Sequence, residues 1–190
     1  PHPMFDGEWG KTSRAAMRSY LISAFNEESF DLALEKAKIA GFKYVYHSGP
    51  FLDWGHFNWD PKFVSGGDEA VKKLVDKAKQ QGISVGVHTL SNFLTTNDAY
   101  VTPIPSKHLL KQGVLELVSD LDHNQTESTI KKSGRFTLPM TLNAMHSNDE
   151  LITYGEVEEK DNLMILKNCT RGAFNTTPSA HKKETVLDKL

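Results

Sequence analysis

Two apolar runs, FKYVYH at 42–47 and ISVGVHT at 83–89, each follow without a spacer on a helix pattern that closes on glycine. In SFDLALEKAKIAG (29–41), Phe30, Ala33, Leu34 and Ala37 recur on one helical face, with Ser29 placed as N-cap and Gly41 as the first residue past the end. DEAVKKLVDKAKQQG (68–82) repeats the spacing at Val71, Leu74, Val75 and Ala78, and its acids come first and its lysines last, as the helix dipole favours. A third short apolar run, YLISAF (20–25), precedes the first helix. Strands alternating with helices of this length predict parallel pairing with right-handed crossovers. The runs at 42–47 and 83–89 do not alternate apolar with polar residues, which is expected where both faces of a strand are covered.

From about residue 106 the pattern changes. GVLELVSDLD, ESTIKKS, RFTLPM, ELITYGEVEE and NLMILKNCTRGAF are short strand-like runs separated by Asn, Asp, Ser and Gly, and they predict antiparallel β structure. Pro103 and Pro105 mark the border. The expected fold class is therefore α/β: residues 1–105 as N-terminal βα units of a partial (β/α) TIM-type barrel, and residues 106–190 as an inserted antiparallel β-rich module. Three strands are too few to close a barrel, so the remainder of that barrel is an expected partner.

Composition narrows the function classes. With 38% hydrophobic residues the 190-residue chain can bury a core, and 22 basic against 24 acidic residues give a net charge of −2. That balance carries no electrostatic footprint for nucleic acid or an anionic membrane, and neither is an expected partner. No stretch approaches the length of an apolar membrane span, and the first residues lack a basic-then-apolar signal pattern. The single cysteine, Cys169, leaves no internal disulfide and no thiolate metal cluster. Asn124, Asn168 and Asn175 each begin an N-x-[ST] triplet, a pattern common by chance.

In parallel α/β architectures ligands bind at the carboxyl ends of strands. Here those ends are His47, running into SGPFLDWGHFNWDP, and His88, running into TLSNFLTTNDAYVTP. Both loops exceed the usual 2–6 residues of a βα connection. Phe51, Trp54, Phe57 and Trp59 stand among Asp53, His56, Asn58 and Asp60, while the second loop supplies Thr89, Ser91, Asn92, Thr95, Thr96, Asn97 and Asp98. Flat aromatic faces beside hydrogen-bonding groups suit a sugar, whose C–H faces pack on rings while its hydroxyls need partners. His47, Trp54, His56, His88, Asn92 and Asn97 are the expected substrate-binding residues, with both imidazoles projecting into one hollow and Trp54 as stacking platform. The competing reading makes the aromatics core and the loop amides turn caps. The segment HPMFDGEWGKT (2–12) offers Asp6, Glu8, Trp9 and Lys11, either as a cover over the strand ends or as a solvated tail.

Glycoside hydrolysis ordinarily needs two carboxyl groups. Of the loop acids Asp53, Asp60 and Asp98, the expected catalytic candidates are Asp53 and Asp98. A metal-dependent deacetylase or amidohydrolase is the alternative, with His47 and His88 joined by Asp53, His56 or Asp98. Against it, GVHTLSN has Asn92 where an H-[ST]-x-x-H segment needs its second histidine. Neither a metal nor any other cofactor is required by the glycosidase reading. A third reading, a non-catalytic carbohydrate-binding fragment, concerns the β-module, where Arg171 and His181 are candidate ligand groups but Arg171 reads better as a structural fork on backbone carbonyls.

PHPMFDGEWGKT, GFKYVYHSGPFLDWGHF, GISVGVHTLSNFLTTNDAYVTPIP and ELITYGEVEE…LKNCTRGAFNTTPSAH together resemble successive segments of bacterial glycoside-hydrolase-like proteins of polysaccharide degradation. The resemblance implies a (β/α)8 barrel with a β-rich insertion, resuming past Leu190, that cleaves O-glycosyl bonds of a poly- or oligosaccharide. It also implies a periplasmic or secreted location. It assigns no catalytic residue, so the site residues rest on the strand-end argument.

Overall fold

A computed structural model describes residues 4–5, 7–14, 18–90, 92–132 and 142–190. The chain forms two compact units, Pro1–Phe93 and Leu94–Leu190.

In the first unit a small antiparallel hairpin, β1 (Met4–Phe5) with β2 (Glu8–Trp9), precedes a three-stranded parallel sheet. That sheet runs β3 (Tyr20–Ile22), β4 (Tyr44–His47), β5 (Ser84–Val87), with α1 (Phe30–Ile39) and α2 (Gly67–Gln80) as the two crossovers. Asn26 and Ser29 close the entry to α1 reciprocally: each backbone N–H is accepted by the other's side chain, at 2.9 and 3.0 Å. Both helices stop in the same way. Gly41 and Gly82 take φ of +72° and +68°, and the following residue, Phe42 or Ile83, donates its N–H to the carbonyl of Ala37 or Ala78. This is the six-to-one hydrogen bond of the Schellman motif, which needs a residue without a Cβ penalty at the left-handed position. Each helix is thereby delivered straight into its strand.

The predicted helical face of α1 is buried at all four positions, Phe30, Ala33, Leu34 and Ala37. With Val45, Phe25, Phe63, Ala78 and Ile83 they make one core on the Leu21–Val45–Val85 side of the sheet. Val71 and Leu74 of α2 pack against this core half-buried, whereas Val75 is exposed. Right-handed crossovers joining neighbouring strands in sequence order place both helices on one face. The opposite face carries Tyr20, Ile22, Tyr44, Tyr46 and Gly86, and there Tyr20 and Ile22 are 54% and 58% exposed. The uniform apolarity of the strands thus reflects helix cover on one face and aromatic residues on the other.

The described strands of the second unit all pair antiparallel. One sheet has the order β6 (Gly113–Glu116), β12 (Val186–Lys189), β8 (Ala144–Ser147), β9 (Glu150–Thr153), and the other β10 (Glu156–Lys160), β11 (Leu163–Lys167), β7 (Ser128–Lys131). The β8–β9 and β10–β11 hairpins turn on Asn148–Asp149 and Asp161–Asn162, where Asn148 and Asp161 adopt positive φ, a conformation Asx residues tolerate best among non-glycines. Leu117, Ile130, Met145, Ile152, Met164, Leu166 and Leu187 fill the core from both sheets. The acids Glu156, Glu158 and Glu159 stand exposed on β10, the edge strand, where charge discourages pairing with another chain. Of the predicted strand-like runs, RFTLPM lies outside the described residues; β8 and β12 arise from segments not singled out in the sequence.

The TIM-type barrel expected from the sequence is not formed. Among the described residues there are only two α-helices, 16% of these residues are helical and 29% are strand in small sheets, so the protein is mixed α/β but not a (β/α)8 barrel. Among the described residues no further crossover helix follows β5. The next strands pair antiparallel with one another, and a three-stranded parallel sheet cannot curl far enough to close.

Candidate functional site

The carboxyl ends of β4 and β5 lie side by side: His47 is paired with Val87, and the His88 N–H donates to the His47 carbonyl at 3.0 Å. The two histidines share that end but not a face. The strand pleat turns His47 toward the helices, where its ring packs edge-on against Phe25 at 5.1 Å and against Phe63 at 4.8 Å. Its Nδ1 accepts the Gly49 N–H at 3.1 Å, and it also bonds the Phe25 backbone. Burial lowers its pKa, against smaller upward pulls from the Phe25 hydrogen bond and Asp60. A neutral, fully bonded imidazole in an aromatic core is a packing element, and the expectation that both rings face one hollow is corrected accordingly.

His88 lies on the other face, half-buried. Its Nδ1 is 2.7 Å from the Tyr46 hydroxyl, and its ring lies 5.7 Å from that of Trp54 and 6.2 Å from that of Tyr46. Tyr20 extends the patch, its ring 5.6 Å from Tyr46. Burial, followed by the neighbouring Tyr20, pushes the Tyr46 phenol up, so it keeps its proton in neutral solution. The result is an aromatic surface at a parallel strand end, with one imidazole and one phenol set into it.

The acids and the other aromatics of these loops hold the loops themselves. Between β4 and α2 the chain doubles back, with Phe51 bridged to Trp59, the Leu52 N–H on the Asn58 carbonyl and the Asp60 N–H on the Pro50 carbonyl. Phe51 stacks on Trp59 at 4.7 Å and meets Phe57 at 5.2 Å, while Trp59 donates to Asp68 at 2.6 Å and reaches Phe63 at 5.8 Å. Trp54 is the loop aromatic whose ring meets His88. Asp53 is buried inside this lasso and accepts both the Asn58 N–H, at 3.2 Å, and its side-chain amide, at 2.6 Å. Asp60 accepts the Lys62 N–H at 2.8 Å. Asp98 belongs to the second unit, is buried, and accepts the Tyr100 N–H at 2.8 Å within a turn closed by Val101 and Thr102. His56, Asn92 and Asn97 are exposed. Ser91 and Asp6 lie outside the described residues; Glu8 and Trp9 form β2, with the Lys11 ammonium 6.0 Å from the Trp9 ring centre.

A second polar cluster, centred on a residue the sequence reading passed over, occupies the interior of the second unit. Glu150, fully buried at the start of β9, is held bidentately by Arg171 at 2.8 Å on each oxygen. It also accepts the His181 Nε2–H at 2.7 Å and the N–H groups of Gly172 and Ser179 at 3.0 Å. Burial pushes the carboxyl up, but His181, Arg171, Ser179 and Gly172 together bring it down to about 2. Arg171 further donates to the carbonyls of Asp122 and Ser179, the structural fork its sequence position suggested. Ser147 lies 3.3 Å from His181 Nδ1, so serine, histidine and acid stand in line. The arrangement is unsuited to nucleophilic chemistry, because all three are buried and Arg171 already neutralises the acid. The only sequence signal was an acid opening an otherwise apolar strand, ELIT.

Among the described residues no group of three or more His, Cys, Asp or Glu side chains is placed to hold a metal ion, and no helix is long and apolar enough to cross a membrane. No protein-family model, curated protein or solved structure matches the chain. The fold and patch define it as a two-unit mixed α/β protein with one aromatic surface at a parallel strand end.

Proposed function

We propose that the protein binds carbohydrate through the Tyr46–Trp54–His88 patch of its first unit. The observation that carries this reading is the contact of Trp54 with a half-buried imidazole that is itself tied to a phenol. Such a surface combines an apolar face for sugar C–H groups with polar atoms for hydroxyls. The reading retains the substrate class expected from the sequence and its likeness to glycoside-hydrolase-like proteins, and it stops at binding. Cleavage needs two available carboxyl groups, whereas Asp53 and Asp98 are both buried and each holds its own loop.

Calorimetric titration with hexasaccharides of cellulose, xylan and polygalacturonate tests the reading. At least one should bind, and Trp54→Ala should weaken it by about tenfold or more, in line with loss of one stacked aromatic. Absence of binding by all three, or binding indifferent to Trp54→Ala, would overturn it.

A further inference from the structure

Tyr46 and Gly86 face each other directly across β4 and β5. A Cβ built on Gly86 would lie 3.1 Å from the Tyr46 ring carbon Cδ2, closer than side chains ordinarily pack. Glycine at this position therefore lets the phenol ring lie over β5, with its hydroxyl against His88, two residues further along the same strand direction. Among the described residues this hydrogen bond is the only one made by either side chain.

Hydrogen accounting favours one tautomer. A phenol has one hydrogen to donate, and a neutral imidazole has one nitrogen that donates and one that accepts. Were the proton on Nδ1, that N–H would point at the phenol oxygen, and the phenol hydrogen, finding no acceptor among the described residues, would have to turn to solvent. With the phenol donating to Nδ1, both groups are satisfied and the imidazole proton sits on Nε2.

We propose that Tyr46 holds His88 as the Nε2–H tautomer, with Gly86 as the residue that positions Tyr46, so that the site selects sugars presenting an acceptor oxygen beside the face stacked on Trp54. The selectivity part rests on the carbohydrate reading above; the tautomer part does not. His88 is then a donor toward the ligand, and neither a base nor a metal ligand through Nε2 in its neutral form.

Nitrogen-detected correlation spectra of the histidine rings in the full chain, without ligand and with the imidazole neutral, test the assignment. The expected spectrum has His88 Nε2 protonated and Nδ1 bare; Tyr46→Phe should give a mixture of tautomers. Gly86→Ala should do the same by displacing the ring, and if that variant does not fold, Tyr46→Phe alone decides. An Nδ1–H signal in the wild type, or an unchanged tautomer in Tyr46→Phe, would overturn the proposal. For whichever hexasaccharide binds, Tyr46→Phe should also weaken affinity by about three- to tenfold, the worth of one ordered hydrogen bond. Unchanged affinity would overturn the selectivity part, and absence of binding with the tautomer intact would overturn the carbohydrate reading alone.

Discussion

The imidazoles of His181 and His88 are each tied by a 2.7 Å hydrogen bond, the first to a carboxylate and the second to a phenol. Around His181 the polar groups are saturated: Glu150 alone accepts from a guanidinium, an imidazole and two backbone N–H groups. Around His88 the ring makes one bond, to Tyr46, and among the described residues its second nitrogen has no partner. A saturated buried network fixes the chain, since every group in it loses a partner if any other moves. An unsaturated, half-exposed pair has capacity for a ligand. The presence of a histidine beside an acid is therefore less informative about function than how much bonding capacity remains.

Changes at the saturated end should act on stability. Arg171→Leu leaves the Glu150 carboxylate buried without its cation and should cost about 3–5 kcal/mol in urea unfolding. A loss below about 1 kcal/mol would mean that the network does not hold the second unit together. The same carboxyl supplies a pH test. Its folded pKa of about 2 lies below its ordinary value of 4.5, so its contribution is fully present above 4.5 and is lost as pH falls from there toward 2. The contribution is on the order of 3 kcal/mol. Stability measured across that window should fall in the wild type and fall much less in Glu150→Gln.

His47 sharpens the comparison within one sheet. Its His47→Leu variant leaves the Gly49 N–H and the Phe25 carbonyl without their partner and should destabilise by about 1–3 kcal/mol. Because its folded pKa is lowered, the unfolded chain takes up the proton first. Stability should fall as pH drops below the ordinary imidazole value of 6.5, a slope the leucine variant lacks. The smallest stability effect belongs to Tyr46→Phe, within about 0.5 kcal/mol, since a half-exposed hydroxyl can exchange its bond for water. A larger loss would place His88 in the same structural class as His181.

What the sequence made legible follows from which physics is local. The four-residue apolar face of α1, the glycine stops and the direct passage into β4 and β5 are written in adjacent residues, and all appear where the pattern put them. The strand-end position of His47 and His88 was equally readable. Their faces were not exploited, although the pleat of period 2 already separates them: His88 lies one step past the partner of His47. Glu150 was hidden because its partners stand 21, 29 and 31 residues away, at Arg171, Ser179 and His181. The roles of Asp53 and Asp98 were hidden for the opposite reason, since an acid folding back on its own turn has the same local sequence as an acid presented to a substrate. The barrel failed on a count of strands, a global property that no local periodicity contains.

The glycine junctions at residues 41 and 82 leave the chain no slack between a helix and the strand after it. One extra residue at the first junction would advance β4 by half a pleat, carrying His47 out to the aromatic surface and driving the Tyr46 phenol in among Phe25 and Phe63. Length changes in this unit are thus confined to the opposite rim, which leaves the ligand-facing loops free to diversify over an immovable phase.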